Sequence, residues 1–191
     1  MLTLPGGAAG SKAAYVELPG TIFEGQDALT INAWVKNLTG VGNYAAMYFG
    51  TKTKHVDSSV SNDLPLNYWI FNPMEPDTKK NQFKSVWTND NNADAPYNTE
   101  VGPGKGSAES VTTDDKWRMY TTVITADSIA TYYDGEFVNS VEKTKTTTDF
   151  GTGLVAYIGR SAYNDKFFKG GVHSVSIYNS ELSANDITQL Y

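Results

Sequence analysis

The sequence predicts an all-β fold: a two-sheet antiparallel β-sandwich with one short helical turn at its C-terminus. Three observations carry this. Short β-branched and aromatic segments follow one another along the chain, separated by turn residues. Asp134-Gly135 joins two of them by the two-residue link that suits a type I′ hairpin. Helical signals occur only from Ser183 to Tyr191. A chain of 191 residues has the size of one domain, and no repeat or composition shift divides it. A single domain over residues 1–191 is expected.

The first strand read from the pattern is Tyr15–Leu18. Leu29–Lys36 follows, with Ile31, Ala33 and Val35 on one face and Thr30, Asn32 and Lys36 on the other. Next come Ala46–Phe49, Tyr68–Phe71 and Phe83–Thr88. Met119–Thr125 and Ser128–Tyr133 are rich in β-branched and aromatic residues. Asp134-Gly135 then turns the chain into Glu136–Glu142, because both central residues of a type I′ turn must accept positive φ. Leu154–Ile158 and Val172–Tyr178 complete the strands. Ser183 can cap the closing helical turn, with Asp186 three residues on and Ile187, Leu190 and Tyr191 as its apolar edge. Two stretches break the rhythm. Thr51–Leu66 and Asn89–Ser110 are polar and long for connections in a compact domain, the kind of loop that carries function or moves.

Composition removes several classes of function. Cysteine is absent, which excludes disulfides, thiolate-bound zinc and thiol catalysis. Fifteen basic residues against twenty-one acidic give a net charge of −6, and no basic stripe offsets it, so a nucleic acid partner is not expected. No apolar run approaches the ~20 residues needed to cross a bilayer, so no membrane insertion is expected. The first residues, Met1 to Gly7, have neither the basic nor the apolar region of an export signal. A cytosolic protein, or a piece of a longer exported one, would fit.

Several motifs resemble those of one family. Ala14–Pro19 followed by Leu29–Val35 is similar to the opening of the laminin-G-like, concanavalin A-like jelly rolls of bacterial proteins. Lys116-Trp117-Arg118 and Tyr132-Tyr133-Asp134-Gly135 resemble that family's central hairpin. The run from Tyr157-Ile158-Gly159-Arg160-Ser161 through Phe168–Val172 and Ser176–Asn179 to Leu182-Ser183 and Ile187–Tyr191 resembles its ending. Met47–Gly50, Asn67–Pro73 and Phe83–Thr88 look most like modules appended to bacterial arabinofuranosidases and xylosidases. The resemblance implies a two-sheet jelly roll, secreted or at the cell surface. It further implies a carbohydrate-binding accessory module, monomeric and covalently linked to a catalytic domain. One departure stands out. His173-Ser174 occupies the place of the family's acidic pair, and imidazole is a poor calcium ligand, which argues against a structural calcium there.

Catalytic patterns are missing. Glucanases of the superfamily carry a Glu-x-Asp-x-x-Glu run on one strand, and no such run occurs. Asp134 and Glu136 flank a turn that splays them apart, so they read as a turn aspartate and a solvated glutamate. There is no Gly-x-Ser-x-Gly elbow, and neither His55 nor His173 has a triad setting. His173 shares parity with Val175 and Ile177 and reads as a buried histidine. Gly102–Ser107 lacks the Lys-Ser/Thr pair of a phosphate loop. The domain is expected not to be an enzyme.

Two binding possibilities remain. Asp90, Asn92 and Asp94 offer oxygens at the alternate spacing of a calcium loop, although Ala95 replaces the turn glycine and Glu100 falls one place early. Calcium is therefore a candidate cofactor beside the plainer reading of a polar loop, and Asn164-Asp165 is a second, weaker candidate. Sugar binding needs aromatic faces and hydroxyl-bonding polar groups. Trp34 and Trp117 read as structural. Trp87, at a strand end beside the Asn89–Asp94 loop, is the expected centre of a sugar-binding rim. Trp69, Tyr97, Asn89, Arg160 and Tyr163 would complete it. The expected partner is a plant-type glycan such as arabinan or arabinoxylan. The alternative is a spacer or adhesive domain without a sugar site.

Overall fold

A computed structural model of the protein describes residues 1–37, 44–54, 63–74, 83–104 and 115–191. His55, residues 105–107 of the glycine-rich stretch and parts of both long polar loops lie outside the described residues. Twelve strands appear among those described. They are β1 (Leu2–Gly7), β2 (Val16–Pro19), β3 (Leu29–Asn37), β4 (Met47–Gly50), β5 (Tyr68–Asn72) and β6 (Lys84–Thr88). The chain continues through β7 (Glu100–Val101), β8 (Trp117–Ile124), β9 (Ser128–Tyr133), β10 (Glu136–Glu142), β11 (Val155–Ile158) and β12 (Phe167–Tyr178). One helix, α1 (Ala184–Leu190), closes it.

The strands form two six-stranded sheets, ordered β1-β12-β3-β8-β9-β10 and β2-β11-β4-β5-β6-β7. Every pairing is antiparallel. Alternate residues of each sheet point inward and interlock. Ile31, Ala33, Val35, Tyr120 and Ile129 of the first sheet meet Phe49, Trp69, Phe71, Trp87 and Ala156 of the second. Phe71 and Tyr120 make ring contact across the interface at 4.9 Å. This is the expected sandwich.

The second sheet is apolar on both faces, which explains why β4, β5 and β11 read as unbroken apolar runs. Its outer face carries Tyr48, Tyr68, Ile70, Val86, Val155 and Tyr157. Ala162 and Tyr163, on the loop after β11, and Tyr15, just before β2, pack over them. The outer face of the first sheet is covered instead by α1, whose Ile187 packs on Met119 and Val123. A capping box starts that helix: Asp186 N donates to the Ser183 hydroxyl at 3.2 Å, and Ser183 N donates to the Asp186 carboxylate at 3.0 Å.

Local signals held where turn chemistry was explicit. Asp134 and Gly135 adopt φ of 49° and 83°, the two positive angles of the expected hairpin. Other expectations need correction. β1 was missed because Pro5, Gly6 and Gly7 look like turn residues; β1 is an edge strand, where proline costs no ladder bond. β12 begins at Phe167, not Val172, because Gly170-Gly171 is a close-approach site within a strand. A side chain at Gly171 would meet the Trp117 ring at 2.5 Å. His173 is exposed, not buried. The ladder with β3 shifts register between Val172 and Ser174, so the bulge turns His173 out against Trp117, ring centroids 5.8 Å apart.

Candidate functional site

The two tryptophans expected to lead a sugar-binding rim are core residues. Trp69 and Trp87 lie opposite each other in the β5–β6 register and are 2 % and 0 % exposed. Trp69 Nε1 donates to Ser85 Oγ at 3.1 Å, and that hydroxyl shares a hydrogen bond with Thr122 of the opposite sheet at 2.9 Å. Trp87 stacks on Phe150 at 4.1 Å, under a 3₁₀ turn (Thr148–Phe150) that closes this end of the sandwich. Neither ring can present a face to a soluble ligand. The position of Trp87 at a strand end suggested exposure, but Phe150, whose closing role no local pattern announced, covers it.

Asn89 belongs to the same closure. Its Oδ1 accepts the backbone N–H of Thr144 at 2.6 Å and ties the loop after β6 to the segment after β10. Two of the suggested calcium residues follow it and bond within their own loop. Asp90 Oδ1 accepts from Asn91 N at 2.7 Å and Asn92 Oδ1 from Ala95 N at 3.1 Å, both turns within the loop itself. Among the described residues, no three His, Cys, Asp or Glu side chains gather where they could hold a metal ion. The cation in this region is the Lys145 ammonium, which donates to Asn67 Oδ1 and Asn91 Oδ1. Burial holds Lys145 below the usual lysine range, opposed by the charges of Asp149 and Asp90.

The remaining three expected residues gather on the outer face of the second sheet. Tyr163 donates to the Tyr68 hydroxyl at 2.9 Å, and Tyr68 donates to Glu100 Oε1 at 2.7 Å. Glu100 Oε2 pairs with Lys84 Nζ at 2.8 Å. Burial first, then the neighbouring charge of Glu100, pushes the Tyr68 phenol far above its ordinary range. Burial likewise raises Tyr163, with Glu100, Asp165 and Tyr97 adding to it and the bond to Tyr68 opposing. Both phenols stay protonated and act as neutral hydrogen-bonding groups. Tyr97 is close enough to enter that balance, yet its ring is 47 % exposed on the 3₁₀ turn Pro96–Thr99 that leads into β7. Tyr68, Glu100 and Lys84 were missed, although the period of two does set Tyr68 on the face opposite Trp69.

Arg160 stands on the same loop as Tyr163. Its guanidinium carbon lies 5.0, 5.3 and 5.1 Å from the ring centroids of Tyr15, Tyr157 and Phe167. Its Nε donates to the Ser161 carbonyl at 2.9 Å, while the Ser161 hydroxyl accepts from Tyr163 N at 3.1 Å. Thr53 anchors this loop by donating to the Ala162 carbonyl at 2.6 Å. Exposed Tyr97, half-buried Tyr163 and the held Arg160 guanidinium therefore share one face, with buried Tyr68 and Glu100 positioning Tyr163 from beneath. That array can stack on C–H surface and bond hydroxyls.

The profile of the concanavalin A-like lectin/glucanases superfamily matches residues 10–188. The chain belongs to that superfamily. No curated protein sequence matches it. Solved structures share the superfamily fold at low identity. Domain 4 of AbnA, a GH43 extracellular arabinanase from Geobacillus stearothermophilus, in complex with arabinotriose, aligns with a TM-score of 0.65 at 14% identity, over 96% of this chain and 74% of that one. The Ruminococcus gnavus IT-sialidase CBM40 bound to alpha2,3 sialyllactose aligns with a TM-score of 0.61 at 12% identity, over 100% and 94%. Domains LG4-5 of the mouse laminin alpha1 chain align with a TM-score of 0.58 at 11% identity, over 97% and 46%. These likenesses concern the superfamily fold.

Proposed function

We propose that this superfamily member is a non-catalytic carbohydrate-binding module, carried by an exported bacterial enzyme that degrades polysaccharide. The observation that carries the reading is the exposed Tyr97 ring beside the Tyr163–Tyr68–Glu100 hydrogen-bond chain. A sugar ring stacks its C–H face on such an aromatic while its hydroxyls find adjacent donors and acceptors. Support of a second kind comes from the neighbours in fold, one described with arabinotriose and another with sialyllactose. The glycan follows the sequence expectation, a plant-type polymer such as arabinan or arabinoxylan.

Retardation in native gels cast with arabinan, arabinoxylan, xylan, galactan or β-glucan tests this, each gel run with calcium and with chelator. Selective retardation that Tyr97→Ala abolishes is the expected result, and the paired gels decide whether calcium takes part. Equal mobility on every polymer and on soluble oligosaccharides would favour the spacer reading. One observation already supports that alternative: both tryptophans nominated for the rim serve the core.

A further inference from the structure

Arg160 differs from the other cations of the described structure in how it is held. Three rings surround the guanidinium within 5.3 Å, and Nε is occupied by the Ser161 carbonyl. Its two terminal amino groups have no hydrogen-bond or ion-pair partner among the described residues, and both reach solvent although the residue is half-buried. Arg118 offers the contrast, since its Nη1 is paired with Asp134 at 2.9 Å.

A guanidinium fixed in this way is a preorganised fork. Ring stacking and the Nε bond remove most of the rotamer freedom an arginine would otherwise lose on binding. The two free amino groups match the paired oxygens of a carboxylate. Ser161 links the fork to Tyr163, so the anion-binding group and the sugar-facing tyrosines are held by one loop. A chain with net charge −6 gains nothing from a general attraction for anions, so a site for one has to be local.

Resting on the carbohydrate-binding reading, we propose that the bound glycan carries an acidic sugar among its neutral ones and that Arg160 receives its carboxylate. Two kinds of sugar supply that chemistry: an in-chain or branch uronate, as in acidic plant polymers, and a terminal sialyl residue.

The test is calorimetric titration of the whole domain with matched pairs, aldouronic xylo-oligosaccharide against xylotriose, and sialyllactose against lactose. The acidic member of one pair is expected to bind roughly tenfold or more tightly than its neutral partner, the scale of a charge-assisted bidentate contact. Which pair shows the gap identifies the source. Arg160→Gln is expected to remove the gap between the acidic and neutral members. Because Arg160 also packs three rings, a second readout uses the wild type alone. The Arg160 Nε–H resonance is expected to shift on adding sodium glucuronate and to stay in place with glucose. Equal affinity within both pairs, a gap that survives in Arg160→Gln, or an unmoved resonance overturns this inference alone. Absence of binding to all four sugars likewise overturns this inference, and the carbohydrate-binding reading then stands or falls on the polysaccharide gels.

Discussion

The ammonium of Lys143 lies 4.6 Å from the centroid of the Trp87 ring. It also donates to the carbonyls of Ala126 and Lys145, at 3.1 and 2.8 Å, so the charge is solvated by protein rather than water. Burial pushes this lysine down to about 8, against the opposing pull of Asp127 and Asp149.

That shift fixes a pH dependence. An unfolded lysine keeps its proton up to its ordinary 10.5, whereas the folded one releases it from about 8. Between those values the unfolded state binds more protons, so stability rises with pH. The tyrosines act in the opposite sense. Tyr48, Tyr68 and Tyr163 are all raised above 10.0, so above pH 10 the folded state keeps protons that the unfolded one loses, and stability falls. Urea midpoints measured from pH 7 to 11 are expected to climb from about 8, peak near 10 and then drop. Lys143→Met should weaken the climb and leave the drop. A climb as steep in the variant as in the wild type would remove Lys143 as its cause.

Trp87→Ala and Tyr97→Ala separate core from site. Truncating the buried tryptophan is expected to cost about 3–5 kcal/mol of stability, the usual scale for an aromatic in a packed interior. Truncating the exposed tyrosine should change stability by less than about 0.5 kcal/mol while it removes glycan binding. Denaturant titration beside gel retardation reads both. A stable Trp87→Ala variant would mean that Phe150 does not close the sandwich as described.

The link between Glu100 and Lys84 joins β7 to β6. Glu100 is buried, whereas Lys84 is only partly so and can turn to water. Glu100→Gln keeps the shape but loses the charge that Tyr68 donates to, and is expected to cost roughly 1–3 kcal/mol. In a double-mutant cycle with Lys84→Met, the second change should cost less in the Gln background than alone. Strict additivity would show that the pair contributes nothing beyond its separate packing.

Lys145 bridges Asn67 and Asn91 from a third segment of chain. Lys145→Ala leaves two amide oxygens facing each other without a donor, and a loss of about 1–3 kcal/mol is expected. Melting curves with calcium or chelator should superimpose for the wild type, because Asp90 and Asn92 already accept backbone N–H bonds within their own loop. A calcium-dependent rise in melting temperature would instead restore Asp90, Asn92 and Asp94 as ligands.

The sequence made the sandwich legible where physics is local. Alternation exposed β3, and Asp134-Gly135 announced the hairpin because few other pairs accept two positive φ angles. β1 stayed hidden because its proline is tolerated only by virtue of its place at the edge, which is a property of the sheet and not of the segment. The placement of the candidate site residues was legible in part for the same reason. Tyr97, Tyr163 and Arg160 sit on connections, which leaves Tyr97 exposed and the other two half-buried. Trp87 was misplaced because its burial depends on Phe150, distant in sequence and brought over it only by the closed fold, and Trp69 because it faces the opposite sheet through Ser85 and Thr122.

β12 lies between β1 and β3, with Leu2 against Val172 and Ile31 against Ile177. The strand that joins the two earliest elements of the first sheet is therefore the last to be made on a ribosome. Until it emerges, β3 has an unpaired edge, and its neighbour β8 can hold it from one side only. Closure over such sequence separation is slow, on the order of milliseconds to seconds, not microseconds. During that interval the waiting edge of β3 is a place for another copy to pair, and the yield of refolding should fall as protein concentration rises.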